Sequence, residues 1–180
     1  GPTNVNDLLT EVLGLVVNQS LFHNIRIKET FAENLPTIVA DETQIKQVFL
    51  NIILNAAQAM EGNGELTIVT AQEGNRVKVR IGDTGPGIPP EIMGSLFNPF
   101  FTTKEKGTGL GLAIVYGIME RHHGQIDIET KLGKGTVFIL SLPISSQEET
   151  DNGMEVTKMS DQNTRIGRRN HGQKTKNLAR

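Results

Sequence analysis

The feature that most constrains this chain is the stretch from Asp41 to Met60. Ile45, Val48, Phe49, Ile52, Ile53, Ala56 and Ala59 recur at helical spacing, so one face of a helix must be buried. Asp41 stands where such a helix needs its N-terminal cap. Gln47, Asn51 and Asn55 form a second stripe at steps of four, stacking three amides on one side. A solvated face more often carries Lys and Glu, and two Asn in mid-helix lower its propensity. Taken alone, the stripe reads either as solvated surface or as a row of amides facing a ligand.

The chain around this helix alternates between two periodicities. Residues 4–18 hold Val5, Leu8, Leu9, Val12, Leu13, Val16 and Val17, which predicts an amphipathic helix. Ile25–Glu29 alternates as a strand, and Pro36–Ala40 is a short extended approach to the Asp41 cap. Leu66–Ala71 and Val77–Ile81 predict a hairpin around Glu73-Gly74-Asn75. Residues 82–107 are rich in Gly, Pro, Thr and Lys, with one short helix near Glu91–Phe97. Leu110–His122 is a second strong helix, ended by Gly124. Ile126–Thr130 and Thr136–Leu142 are strands joined through Gly133-Lys134-Gly135. Helices interleaved with hairpin-joined strands predict an α/β fold, a two-layer sandwich with a mixed sheet.

Composition narrows the function classes. The 180 residues fit one domain with a tail, and 37% hydrophobic content points to a part of the chain outside any core. A net charge of −2 offers nucleic acid no basic field. With no cysteine there are no disulfides and no Cys-ligated zinc, which suits a reducing, cytoplasmic setting. No apolar run reaches membrane-span length, so no membrane contact is expected of this segment. Gly1-Pro2 reads as the scar of a cleaved tag, which leaves residues 3–144 as the domain. Residues 145–180 have few large apolar side chains, acids in front and Arg165, Arg168, Arg169, Lys174, Lys176 and Arg180 behind. Such a segment buries too little to offset its ordering entropy, and is expected to be a disordered tail.

Two glycine segments carry the chemistry. Asp83-Thr84-Gly85-Pro86-Gly87-Ile88-Pro89 follows the end of a strand and sets a carboxylate at the mouth of the sheet. Gly85 and Gly87 would let backbone pass close to a flat ligand, and a carboxylate acceptor suits a base with an exocyclic amine, as in adenine. A Gly-Pro turn with a capping Asp fits the same residues equally well. Gly107-Thr108-Gly109-Leu110-Gly111-Leu112 then opens the second long helix, where free amides and the helix dipole favour phosphate. This is neither a Walker loop nor a dinucleotide fingerprint, because the glycines fall at 107, 109 and 111 with no Gly-Lys-Ser/Thr.

The order of Asn helix, Asp-x-Gly-x-Gly, Phe-rich segment and Gly-x-Gly-x-Gly resembles the ATP-binding catalytic domain of bacterial sensor histidine kinases. That domain belongs to the superfamily of gyrase B, Hsp90 and MutL, with its Bergerat-type ATP-binding fold. Asn51 and Asn55 match the Asn box, and Asp83, Gly85 and Gly87 the first glycine box. Phe97–Phe101 match the Phe box, Gly107–Gly111 the second glycine box, and Gly133–Thr136 a weaker final one. The likeness spans residues 5–143, and Asn-Ala-Ala-Gln-Ala-Met most resembles the nitrogen-regulation-type kinases.

The resemblance implies roles for these residues. Asn55 would give its amide oxygen to magnesium, with Asn51 supporting the same metal–phosphate cluster. Asp83 would accept from the adenine amine, with Gly87 close to the base and Gly85 and Ile88 also binding the nucleotide. Pro89–Lys106 would be the ATP lid, where Thr102 and Thr103 approach the nucleotide and Lys104 reaches the γ-phosphate. Gly107, Thr108, Gly109, Leu110, Gly111 and Leu112 would line the phosphates, and Thr136 would also contact the nucleotide. Gln58 stands where other kinases often place Lys or His. Aromatics at this spacing usually pack, so Phe97, Phe100 and Phe101 are expected to anchor the lid's ends.

One position separates the subfamilies. The superfamily's ATPases typically carry a Glu one turn before the magnesium Asn, to position or deprotonate the nucleophile. Here that place holds Asn51, and an amide takes no proton at neutral pH. The resemblance therefore implies a monomeric catalytic half of a protein-histidine kinase. Its partners would be a dimerisation domain bearing the acceptor histidine and, downstream, a response regulator receiver domain. None of His23, His122, His123 and His171 is followed by an acid on a long helix, as an acceptor would be. A hydrolytic superfamily ATPase and an ATP-sensing switch without phosphotransfer are the alternatives.

Overall fold

The computed structural model describes residues 1–101 and 111–145. The chain divides into two units at Ile144. The expectations for residues 102–106 at the end of the lid, 107–110 of the second glycine segment and tail residues 146–180 lie outside the described residues.

Helix α1 (Val5–Val16) starts at Asn4, whose side chain accepts the Asp7 amide N–H at 3.1 Å. It buries Val5, Leu8, Leu9, Val12, Leu13 and Val16, whereas Val17 caps the end and is 48% exposed. Helix α2 (Glu42–Ala59) starts at Asp41 as the sequence predicts, with the carboxylate accepting the Gln44 N–H. Its buried rows run at steps of four, Ile45-Phe49-Ile53-Ala57 and Val48-Ile52-Ala56. Ala57 thus takes the core place expected of Ala59, which is only half-buried. Helix α3 (Gly111–Arg121) buries Val115, Ile118 and Met119.

The strands are β1 (Pro2–Thr3), β2 (Asn24–Thr30), β3 (Ile38–Val39), β4 (Asn63–Glu73), β5 (Arg76–Asp83), β6 (Gln125–Lys131) and β7 (Gly135–Pro143). The main sheet runs β2-β4-β5-β7-β6. Its β2–β4 pair is parallel and the others antiparallel, which makes the expected mixed sheet. The parallel pair requires a crossover, and α2 supplies it. Leu66, Ile68, Val77, Val79, Ile81, Phe138, Leu140 and Leu142 form the sheet's side of the core. The opposite side chains alternate to charged residues, among them Lys78 and Arg80, both paired with Glu73.

Two features differ from the sequence reading. Residues 1–2, set aside there, pair along β3: Pro2 lies opposite Val39, and Gly1 accepts the Ala40 N–H at 3.2 Å. A half-buried network also ties α1 to the sheet, since Thr70 donates to Asn6 at 2.8 Å and accepts the Ala32 N–H at 2.9 Å.

Candidate nucleotide site

Asp83 ends β5 and is 8% exposed. Burial pushes its carboxyl above the ordinary carboxylate range, against hydrogen bonds from the Gly85 and Thr136 backbone amides that favour the charged form. The Gly85 bond is 2.8 Å, and Thr136 is Asp83's register partner on β7.

The glycines around it are closely hemmed in by the chain itself. A Cβ at Gly85 would lie 3.1 Å from the Ala59 carbonyl oxygen at the end of α2. Gly87 has φ +79°, and its Cβ would lie 2.5 Å from the Lys131 carbonyl oxygen. Gly135, at φ +137°, faces the Asp83 carbonyl so closely that any Cβ would collide. At these three glycines the chain closely approaches itself. The corner after β5 is wedged between the end of α2 and the β6–β7 turn.

Thr130 knits that corner together, and no motif in the sequence singles it out. Its hydroxyl accepts the Ile88 N–H at 2.9 Å, donates to the Gly135 carbonyl, and lies 2.9 Å from the Thr136 hydroxyl. The signal for it is the register, which sets Thr130 opposite Thr136 across the turn. Gly133 adds a backbone bond to Pro86 at 2.8 Å. Ile88 and Thr136 thus meet through Thr130. Thr136 itself is buried, with its hydroxyl turned to Thr130.

The amide stripe forms the second half of the site. Gln47 donates to Asn51 at 2.7 Å, and Asn51 donates to the Gly111 carbonyl at 3.2 Å, joining α2 to the first residue of α3. Asn55 follows one turn later, half-buried, and one further turn leads to Ala59 against Gly85. Along α2, about 12 Å separates the α3 contact from the glycine corner, at 1.5 Å per residue. Gln58 is exposed and Leu112 half-buried. Thr102, Thr103, Lys104, Gly107, Thr108, Gly109 and Leu110 lie outside the described residues.

The aromatic segment splits in its behaviour. Phe97 packs against Tyr116 of α3, with ring centroids 5.6 Å apart. Phe101 is half-buried, but Phe100 is 76% exposed at φ +67° and anchors nothing among the described residues.

Among the described residues no cluster of three or more His, Cys, Asp or Glu could hold a metal by itself. The amide oxygens of Asn51 and Asn55 are hard donors that suit magnesium when phosphate and water complete its shell.

A mixed sheet under helices, with an aspartate–glycine corner at one strand end and an asparagine helix beside it, defines an ATP-binding α/β sandwich. The chain belongs to the histidine kinase-, DNA gyrase B-, and HSP90-like ATPase family, whose model matches residues 40–146. It is 37% identical over 150 residues to the sensor histidine kinase ZraS of Escherichia coli strain K12, covering 83% of this chain and 32% of ZraS. The chain thus spans about a third of that relative's length. The nucleotide-free catalytic domain of histidine kinase ThkA superposes with TM-score 0.73 at 36% identity, over 80% of this chain and 95% of that domain. ThkA solved in complex with the response regulator protein TrrA gives TM-score 0.69 at 34% identity, over 81% of this chain and 42% of that one.

Proposed function

We propose that this domain holds magnesium ATP and passes its γ-phosphoryl group to a histidine on a separate dimerisation domain, with a response regulator receiver domain downstream. The observation that carries the reading is Asn51. One turn before Asn55, the place of a hydrolytic base holds a neutral amide already bonded to Gln47 and to Gly111. Nothing there accepts a proton from water. An acceptor imidazole brings its own lone pair, so the domain need only position ATP and neutralise charge.

Asp83 would accept from the adenine amine, with Gly85, Gly87 and Ile88 forming the corner that holds it. Asn55, with Asn51 in support, would hold magnesium, whose charge would offset that developing on the phosphates. Lys104 would reach the γ-phosphate from the lid, beside Thr102 and Thr103. The imidazole nitrogen then bonds to the γ-phosphorus as the bond to the β–γ bridging oxygen breaks, and ADP leaves. Complex formation between the similar kinase ThkA and its response regulator supports the downstream partner. Use of ATP and the absence of cysteine support a cytoplasmic setting.

The test is phosphotransfer in trans. Alone with magnesium ATP, the domain should neither label itself nor release phosphate quickly. With the matching dimerisation-and-histidine domain added, it should deposit acid-labile, base-stable phosphate there. Transfer should be slow, because separation forfeits effective concentration. Brisk phosphate release by the domain alone would overturn the reading in favour of hydrolysis.

A further inference from the structure

We propose that Gln47 is a positioning residue for this reaction. Its Nε2 holds the Asn51 carboxamide, through Oδ1, in the one polarity that latches the first residue of α3 to α2. The inference rests on the kinase reading for its effect on rate, but the latch itself can be measured without any reaction.

The polarity is set from one end. The Gly111 backbone carbonyl only accepts, so the Asn51 atom 3.2 Å away is the Nδ2 donor. Asn51 Oδ1 then faces the other way, 2.7 Å from Gln47, which must present its own Nε2 donor. Each amide therefore has one permitted orientation: the Gly111 carbonyl selects that of Asn51, and the donor at position 47 holds it. Gln47 is exposed and contributes nothing to the core, so its amide is not explained by packing. A Cβ at Gly111 would sit an ordinary 4.0 Å from Asn51 Nδ2, so the contact is a hydrogen bond with room around it. Asn51 is thereby held as a donor to α3, with the second lone pair of Oδ1 left for the reacting cluster.

Gln47→Glu keeps the length of the side chain and turns its donor into an acceptor. Asn51 must then swing Nδ2 toward the new carboxylate and oppose its oxygen to the Gly111 carbonyl, or lose the bond at position 47. Gln47→Met removes the bond without reversing it. In the nucleotide-free domain, NMR should show the Asn51 side-chain amide shifted and the first turn of α3 exchanging faster, more in Gln47→Glu than in Gln47→Met. Melting temperatures should stay close to wild type, because position 47 is exposed. In trans, kcat for transfer to the added histidine domain should fall about fivefold in Gln47→Glu, the loss of one hydrogen bond. KM for ATP should move less than about twofold, since Gln47 does not touch the Asp83 corner. An Asn51 amide and α3 first turn unchanged in both variants would overturn the proposal, as would equal effects of the two substitutions. If the wild-type domain fails to phosphorylate the added histidine domain, the kinase reading falls, and the NMR measurement still decides the latch.

Discussion

The Asp83 carboxylate accepts the Gly85 amide N–H at 2.8 Å, so the proposed base-reading acid is committed to its own corner in the domain without ligand. Burial raises its folded pKa above the ordinary value of 3.8. A carboxyl whose folded pKa is raised binds its proton more tightly folded than unfolded. Its contribution favours folding below the unfolded pKa, and is lost as pH rises through the folded one. Asp83→Asn removes that dependence. The variant should be at least as stable as wild type at neutral pH, and its melting temperature should change less between 3.8 and the pH range just above it. It should also lose discrimination of ATP from GTP, which a charged hydrogen bond of roughly 1.5–3 kcal/mol sets at about tenfold or more. A variant that still prefers ATP tenfold in calorimetry would remove Asp83 from base choice.

Gly87 and Gly74 both have positive φ, but only Gly87 is crowded: Lys131 carbonyl oxygen lies 2.5 Å from where its Cβ would be, and nothing lies within 4 Å at Gly74. Gly74→Ala should therefore cost about 1 kcal/mol, for conformation alone. Gly87→Ala should cost about 2–4 kcal/mol, because the β6–β7 turn must shift as well. Urea denaturation without nucleotide measures both. Equal losses would show that the Gly87 corner is not held by its own chain.

The fold was legible where one periodicity ran long enough to exclude the other. Asp41, the rows of α2 and the β4–β5 hairpin could be placed because each is set by local chemistry. Asp83 could be seen as a strand-end carboxylate for the same reason. What surrounds it could not: Gly85 meets Ala59, and Gly87 meets Lys131, across contacts far apart in the chain. A glycine that spares a ligand and one that spares a neighbouring strand look alike in sequence. Thr130 was missed because a threonine in a strand is ordinary, and only the register with Thr136 gives its hydroxyl a task. Gln47 was visible as part of a stripe, but its donor role needed the Gly111 carbonyl to fix the direction.

Asn55→Ala should leave the fold intact and weaken magnesium-dependent ATP binding by roughly fivefold to tenfold, the range for losing one polar contact. The residue is half-buried on α2, beside but outside the rows that fill the core. Titration with and without magnesium separates the metal contribution, which should shrink in the variant. Unchanged affinity in magnesium would contradict the assignment. A collapsed melting transition would instead identify Asn55 as a packing amide.

Phe97 and Phe100 stand three residues apart and should respond oppositely to truncation. Phe97 lies against Tyr116 with ring centroids 5.6 Å apart, half-buried against the core, while Phe100 is 76% exposed. Phe97→Ala should destabilise the domain by about 1–3 kcal/mol, less than the full cost of a core aromatic because the ring is not enclosed. Phe100→Ala should stay within about 0.5 kcal/mol of wild type. Tyr116 supplies an independent readout, because burial, and then its hydrogen bond to Glu120, raise its phenol above the ordinary value of 10.0. Phe97→Ala opens that phenol to water and should bring its titration back toward 10.0, whereas Phe100→Ala should leave it in place. Ultraviolet titration of the single tyrosine follows this without interference, since the chain has one Tyr and no Trp. Loss of stability in Phe100→Ala equal to that in Phe97→Ala would mean that the exposed ring is covered in solution, and that the segment is anchored at both ends.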